Sequence, residues 1–411
     1  MNILHINYSD LIGSRFNGFY MLDSANDVFN INMAVWRKQS KRNEVYLLPP
    51  SNKLLKFVVE KIIHLGVKFG LDHLISIFGF FLLSKQKYFK AADIIHLHII
   101  HGDTNLSVFS LLKLCRNKKV VWTFHDQWAV TGGCIHPFEC QGVNNGCPKH
   151  CPHPRYNSFF KHIFPYYFWK IKKYCYCRSD FNIVISTEWM REKIRKSPLL
   201  INKKMTLIPF GIDVNFFKKV DKSSCRKDLG IPLNDFVIAF RDSGMEHDIF
   251  KGLKYIKEAL QNISINKSIS LIIIEDGNGF ENLSDKYNIV KTGWISSEEL
   301  VNIFSASDVF LMPSLQESFG LMAIEAMACG LPVIAAEGTA LPEVIGKNEG
   351  GLVVNQKDSN AIAHAILSLI NNPELTKQLG ISARKRVEDL YSIEKCINIH
   401  KELYSKILNE K

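Results

Sequence analysis

The sequence predicts an α/β protein made of two doubly wound domains, each a parallel sheet wrapped by helices. Three observations point there. The chain has 411 residues, enough for more than one hydrophobic core. Short apolar strand-like runs alternate with helical patterns along most of its length, and alternation at this spacing builds parallel sheets with helical crossovers. The alternation occurs twice, once per half, around a polar, charged segment from Lys218 to Lys227. A domain boundary is therefore expected between about residue 195 and residue 230.

In the first half, Met1–Asn7, Ala92–His98, Lys119–Phe124, Asp180–Ser186 and Met205–Pro209 read as buried strands, short and rich in β-branched residues. A helical stretch starts near Thr187. In the second half the strand-like runs are Phe236–Phe240, Ser270–Ile274, Asn288–Lys291, Val309–Met312, Pro332–Ala335 and Gly351–Val354. Helical patterns lie between them at Lys254–Asn262, Ser297–Ser305, Leu321–Cys329 and Asn360–Ile370. Two such domains facing each other leave a cleft at the carboxyl ends of both sheets, where doubly wound folds bind their ligands.

Lys and Arg number 51 against 40 Asp and Glu, a net charge of +11 that suits an anionic partner: a nucleotide, a nucleic acid or an acidic membrane face. Residues 1–20 lack a basic segment followed by an apolar core, so no signal peptide is expected and the protein reads as cytoplasmic. In that setting the ten cysteines are not expected to form a disulfide framework. The most hydrophobic stretch, Leu54 to Leu83, is interrupted by Lys56, Glu60, Lys61, Lys68 and Asp72. Its charge-free end, from His73 on, is shorter than the roughly 20 apolar residues that span a bilayer. Two readings stand for it: amphipathic helices over a core, or a helix lying in the membrane interface at the inner face of the cytoplasmic membrane.

QESFGLMAIEAMACGLPVIA, from Gln316 to Ala335, carries Glu317 before a helix and Glu325 inside it. The first N–H groups of a helix have no internal partner and the dipole is positive there, so Phe319, Gly320 and Leu321 form an end suited to phosphate. Glu325, more than a turn further in and surrounded by Ala323, Ala326 and Ala328, could accept hydrogen bonds from ribose hydroxyls. Glu317 could reach hydroxyls on whatever the phosphate carries. The plainer alternative is a capping glutamate and a solvated one.

The stretch SASDVFLMPSLQESFGLMAIEAMACGLPVIA resembles the donor-site signature of the retaining GT-B glycosyltransferases of family 4, two glutamates separated by seven residues. The resemblance implies two Rossmann-like domains across a cleft, with Glu317 on donor-sugar hydroxyls and Glu325 on the nucleotide ribose. FRDSGMEHDIFKGLKYIKEAL (Phe240–Leu260) is similar to the segment that supplies an arginine and a lysine to the diphosphate, here Arg241 and Lys251, followed by Gly252. Negative charge grows on the departing diphosphate, and a positive group must stabilise it. The chain holds no Asp-x-Asp for a divalent metal, so no catalytic cofactor is expected. Ile274–Gly277 with Thr292-Gly293-Trp294 resembles the base-contacting region, where Gly293 would contribute backbone, and ALPEVI places Glu343 as a structural cap.

In the first half, Gly13 occupies the place of a glycine-rich turn that approaches the donor phosphates, although Ser14 stands where a second glycine is common. VVWTFHDQWAVTGGC ends a strand in His125-Asp126, and the resemblance puts His125 beside the reacting centre. His98 and His101 are candidates for the acceptor side. Between about residues 131 and 155 lies a Cys-rich loop in which Cys134, Cys140, Cys147 and Cys151 have the residue types of a structural zinc site, with gaps of five, six and three residues. Redox-linked or buried thiols are the alternative, and His136, His150 and His153 could substitute as ligands. Phe159–Arg178 mixes nine aromatics with five Lys and Arg, read as a lipid-facing acceptor side against a plain amphipathic helix or a nucleic-acid platform. Tyr391–Leu408 looks like the terminal helix of the fold, returning to the first domain.

Residues 1–200, 201–388 and 389–411 are thus expected as the acceptor-side domain, the donor domain and the returning helix. The expected activity is retaining transfer of a hexose-type sugar from a UDP- or GDP-linked donor to a glycan hydroxyl, without catalytic metal or nucleic acid. The acceptor is expected on a lipid carrier, in bacterial surface polysaccharide assembly. The rivals are a same-fold epimerase, a phosphorylase, whose Schiff-base lysine motif is absent, and a non-catalytic protein binding membrane or nucleic acid through its basic stretches.

Overall fold

The computed structural model describes residues 1–25, 27–50, 52–69, 79–101, 106–151, 161–242, 248–275 and 277–410. His153, Phe159, Phe160 and residues 243–247, all quoted above, lie outside them. The chain divides into two compact units, residues 1–208 with 396–411, and residues 209–395.

The first unit is built on seven parallel strands: β1 (Asn2–Ser9), β2 (Asn30–Arg37), β3 (Val45–Leu47), β4 (Ile94–Leu97), β5 (Lys119–Thr123), β6 (Asn182–Ile185) and β7 (Met205–Leu207). Their order is β3-β2-β1-β4-β5-β6-β7, a doubly wound sheet whose order reverses between β1 and β4. Side chains alternate across a strand. Leu4 and Ile6, Ile95 and Leu97, and Trp122 therefore enter one core with Phe168, Trp169 and Tyr176 of the helix Phe164–Tyr176. His5, His96, His98 and Thr123 emerge on the opposite face, where His96 meets Tyr404 of the C-terminal helix Ile393–Asn409.

Several expectations change. The unit runs past residue 200 because β7 pairs in register with β6, Ile183 against Met205. The return begins at residue 396 and not at 389, because Pro373–Leu390 is one helix of the second unit, fastened by Arg384 donating to the carbonyls of Ala328 and Phe217. The basic-aromatic stretch is an amphipathic helix: Phe168, Trp169, Lys172 and Tyr176 face the core, while Tyr167 and Tyr174 are exposed. The helix Lys53–Phe69 exposes Leu54, Leu55, Phe57, Val58, Ile62 and Leu65. Among the described residues no helix is long and apolar enough to cross a membrane.

The second unit repeats the plan with β8 (Phe236–Asp242), β9 (Ile269–Glu275), β10 (Asn288–Lys291), β11 (Val309–Met312), β12 (Val333–Ala336) and β13 (Gly351–Val354), ordered β10-β9-β8-β11-β12-β13. Its order reverses between β8 and β11. Ile238, Phe240, Leu271, Ile273 and Leu311 form the core with Ile256 and Leu260 of the helix Leu253–Asn262 and Ile366 of the helix Ser359–Asn371.

Candidate active site

In the second unit the predicted polar residues converge at the carboxyl ends of β8, β9 and β11, the switch point of that sheet. Lys251 ends a short helix, and its Nζ lies 2.8 Å from Glu317 Oε2. Two devices hold this pair. Leu315 N–H donates to the Phe250 carbonyl at 2.7 Å, tying the loop after β11 to the lysine segment. Gly252, with φ +74°, lets the backbone pass Pro313, whose carbonyl oxygen a Cβ would meet at 2.3 Å. Arg241, at the end of β8, places Nη2 2.6 Å from Glu275 Oε1. Glu275 itself has φ +76°, a strained value for a residue with a side chain. Paired backbone hydrogen bonds with Gly293 hold it there, and the space around the Gly293 α-carbon is open.

Gly320 begins the helix Leu321–Ala328 with φ +101° and no side-chain cap, and a Cβ there would meet Leu341 at 2.4 Å. The helix therefore starts on bare backbone amides beside Glu317, with Phe319 buried behind them. Met322 lies 4.0 Å from Arg241, so the guanidinium rests against the first turn of the helix. Glu325 is on the same helix and fully buried. A ligand hydroxyl that reaches it would meet a carboxylate with little competition from water. Glu343, one turn into the neighbouring helix Leu341–Ile345, gives its carbonyl to Arg386.

In the first unit the switch point carries a chain of imidazoles. His5 Nδ1 lies 2.8 Å from His98 Nε2, and His98 Nδ1 lies 3.1 Å from His125 Nε2. Parallel register puts His5 opposite His96, whose nitrogens meet Tyr404 Oη at 2.5 Å and Thr123 Oγ1 at 2.7 Å. Burial holds these rings neutral: His125 falls to about 4 despite the opposing pull of Asp126, His5 falls to about 3, and His96 and His98 are likewise held well below the ordinary 6.5. His125 can thus serve as a neutral hydrogen-bond partner, not as a cation. His101 Nε2 lies 3.1 Å from Asp126 Oδ2. Burial raises the Asp126 carboxyl, but His101 and the Trp128 N–H outweigh it and hold the carboxyl below its ordinary value. Gly13, with φ +75°, turns the loop after β1, and Phe16 from that loop covers the His125 ring at 5.0 Å between centroids. Asn17 fixes the loop by donating to the carbonyls of Ser9, Asp10 and Ile12.

Two family models divide the chain between them: "Glycosyltransferase Family 4" over residues 39–216 and "Glycosyl transferases group 1" over residues 221–386. This chain belongs to the group 1, family 4 glycosyltransferases. The capsular polysaccharide biosynthesis glycosyltransferase CapM of Staphylococcus aureus is 28% identical over 268 residues, 61% of this chain and 67% of that protein. Among solved structures, sucrose-phosphate synthase from Thermosynechococcus elongatus superposes with a TM-score of 0.70 at 21% identity, covering 100% of this chain and 99% of that one. HepE from Anabaena, solved with UDP, gives 0.66 at 15% identity over 99% of this chain and 100% of that one. At these identities the structures speak to the fold, which is GT-B.

In this glycosyltransferase, Arg241, Lys251, Gly293, Glu317, Phe319, Gly320, Leu321 and Glu325 fall within one region of the second unit, while Gly13 and His125 fall together in the first. His98 is a correction: it is buried within the imidazole chain and does not line an open acceptor surface. Sequence reading missed Glu275, the partner of Arg241, although it stood in the quoted IEDG. It also missed Gly252 as a site of close approach, for which the Lys-Gly pair before a helix was the available signal. The cysteines Cys134, Cys140, Cys147 and Cys151 line one small cavity, and neither His136 nor His150 is among its walls. Hydrogen bonding to Cys151 and then burial push the Cys134 thiol well up, and burial raises Cys147 to about 11.

Proposed function

We propose that this glycosyltransferase moves a hexose-type sugar from a UDP- or GDP-linked donor to a hydroxyl of a glycan acceptor, with retention of configuration, in surface polysaccharide assembly. The observation that carries the reading is the Lys251–Glu317 pair at the uncapped start of the helix Leu321–Ala328, with Arg241 against the same turn. Two cations and bare amides suit a diphosphate, and a carboxylate beside them suits sugar hydroxyls. The CapM and HepE names, a capsular polysaccharide enzyme and a UDP complex, support the substrate classes.

In this mechanism the acceptor oxygen forms a bond to the anomeric carbon on the face from which the diphosphate oxygen leaves, and the acceptor proton passes to that phosphate. Lys251, Arg241 and the helix amides take up the growing charge, so the diphosphate needs no metal. Glu317 orients the sugar, Glu325 the ribose, and neutral His125 the reacting centre. Supplying UDP- and GDP-hexoses with oligosaccharide acceptors should release nucleoside diphosphate and lengthen the glycan with the donor's own anomeric configuration. An inverted product would overturn retention, and a donor sugar epimerised without an acceptor would favour the epimerase.

The exposed apolar residues of Lys53–Phe69, interspersed with Lys56 and Lys61, support docking on an anionic bilayer, where a lipid-carried acceptor would be presented. Co-sedimentation with phosphatidylglycerol vesicles should be lost in Leu54→Glu/Phe57→Glu. Sedimentation unaffected by this double substitution would refute the docking.

A further inference from the structure

The loop after the turn Gln127–Val130 holds four cysteines that glycosyl transfer does not use. None of them is in a disulfide. Cys134 and Cys147 are buried, Cys140 and Cys151 half-buried, and all four face one cavity of about 220 Å³ walled otherwise by Thr131, Pro137, Phe138 and Pro148 among others. Cys134 and Cys151 are within hydrogen-bond reach of each other. Cys140 and Cys147 both press on Gly142, where a Cβ would lie 3.3 and 3.5 Å from their sulfurs.

Two backbone amides are aimed at sulfur. The Gly132 N–H donates to Cys147 Sγ at 3.0 Å and the Gly142 N–H to Cys140 Sγ at 3.4 Å. The buried Lys172 ammonium donates to the carbonyls of Trp128 and Thr131, next to this loop. Amide donors aimed at sulfur, a buried cation nearby and four thiols around one small cavity form the donor set of a closed tetrahedral site.

We propose that Cys134, Cys140, Cys147 and Cys151 bind one Zn²⁺ as a structural tetrathiolate centre. Binding converts four thiols to thiolates and releases four protons, leaving a dianionic cluster that the amides and Lys172 offset. Among the described residues only His5, His96 and His98 have donor atoms all within 4.8 Å of one another. Those histidines are committed elsewhere: His96 to Tyr404 and Thr123, and His5 to His98. Among the described residues no three of the cysteine sulfurs lie within 4.8 Å of one another, and Zn–S bonds of about 2.3 Å would draw the four together. That contraction would fasten the segment directly following His125 and Asp126, so the ion would hold this side of the site without entering the chemistry.

The full-length protein, expressed in zinc-supplemented medium and purified without chelator, should carry one zinc per chain by elemental analysis. A mercurial reagent should release it, and Cys140→Ser and Cys147→Ser should each lose it and melt earlier. If those variants do not fold, reconstitution of the metal-stripped native protein with Co²⁺ decides, because tetrahedral cobalt thiolate gives intense charge-transfer and ligand-field bands. A folded protein with only trace zinc, weak octahedral cobalt bands, or a Cys134–Cys151 disulfide in the native chain would overturn the proposal.

Discussion

Acidification should unfold the first unit well before its carboxylates titrate. Five buried histidines, His5, His96, His98, His125 and His400, have their pKa values lowered from 6.5, in each case chiefly by burial. An unfolded chain protonates all of them near 6.5, whereas the folded unit does not until far lower pH. Between those limits the unfolded state binds more protons, so stability falls as pH falls. Each ring contributes a slope of about 1.4 kcal/mol per pH unit. One unit below 6.5 the five together therefore remove up to about 7 kcal/mol, comparable with the 5–15 kcal/mol that keeps a typical domain folded. Asp10 and Asp126, whose carboxyls lie below their ordinary 3.8, add the same sign of effect only at still lower pH. Tryptophan fluorescence isolates the unit, because Trp36, Trp122, Trp128, Trp169 and Trp189 lie in it and Trp294 alone lies in the second. Urea melts followed this way should weaken steeply from about pH 7 to pH 5.5. His400→Gln should reduce the slope by about 1.4 kcal/mol per unit. A flat profile, or an unchanged slope in the variant, would refute the account of neutral buried rings.

Three further outcomes are expected. Lys251→Ala and Glu317→Gln should each lower kcat by 10²-fold or more, the scale of losing one charge-stabilising donor. Their melting temperature should hardly move, since a partly exposed ion pair adds roughly 1 kcal/mol or less; steady-state kinetics beside calorimetry separates the two. Gly252→Ala should destabilise the second unit by roughly 1–3 kcal/mol, because its Cβ meets the Pro313 carbonyl at 2.3 Å with φ at +74°, and denaturant melts will read this. Glu275→Gln should weaken nucleotide binding by freeing the Arg241 side chain, visible as a raised KM for the donor with kcat less affected.

Much of this was legible because it is local. β8, β9 and β11 are buried on both faces and read as unbroken apolar runs. Glu317, Gly320 and Glu325 lie within one short segment, so their spacing survives into the helix unchanged. β2 was missed because Asn30 and Asn32 break its apolar pattern, and β3 because three residues carry no period. The imidazole chain could not be read at all: His5 and His98 are 93 residues apart and meet only through the parallel register of β1 and β4. Glu275 pairs with Arg241 for the same reason, adjacent strands bringing their ends together. Composition does not say which face of the basic-aromatic stretch finds the core. There the core took Phe168, Trp169 and Tyr176.

The central claim is that the switch point of the second sheet binds the diphosphate of a nucleotide-linked sugar. Titration calorimetry of UDP and GDP into the wild-type protein and into Lys251→Ala, in buffer free of added divalent cations, tests it most directly. The account predicts saturable binding of one nucleoside diphosphate that falls at least tenfold in the variant. Absence of binding to either nucleotide, or equal binding by the two proteins, would contradict it.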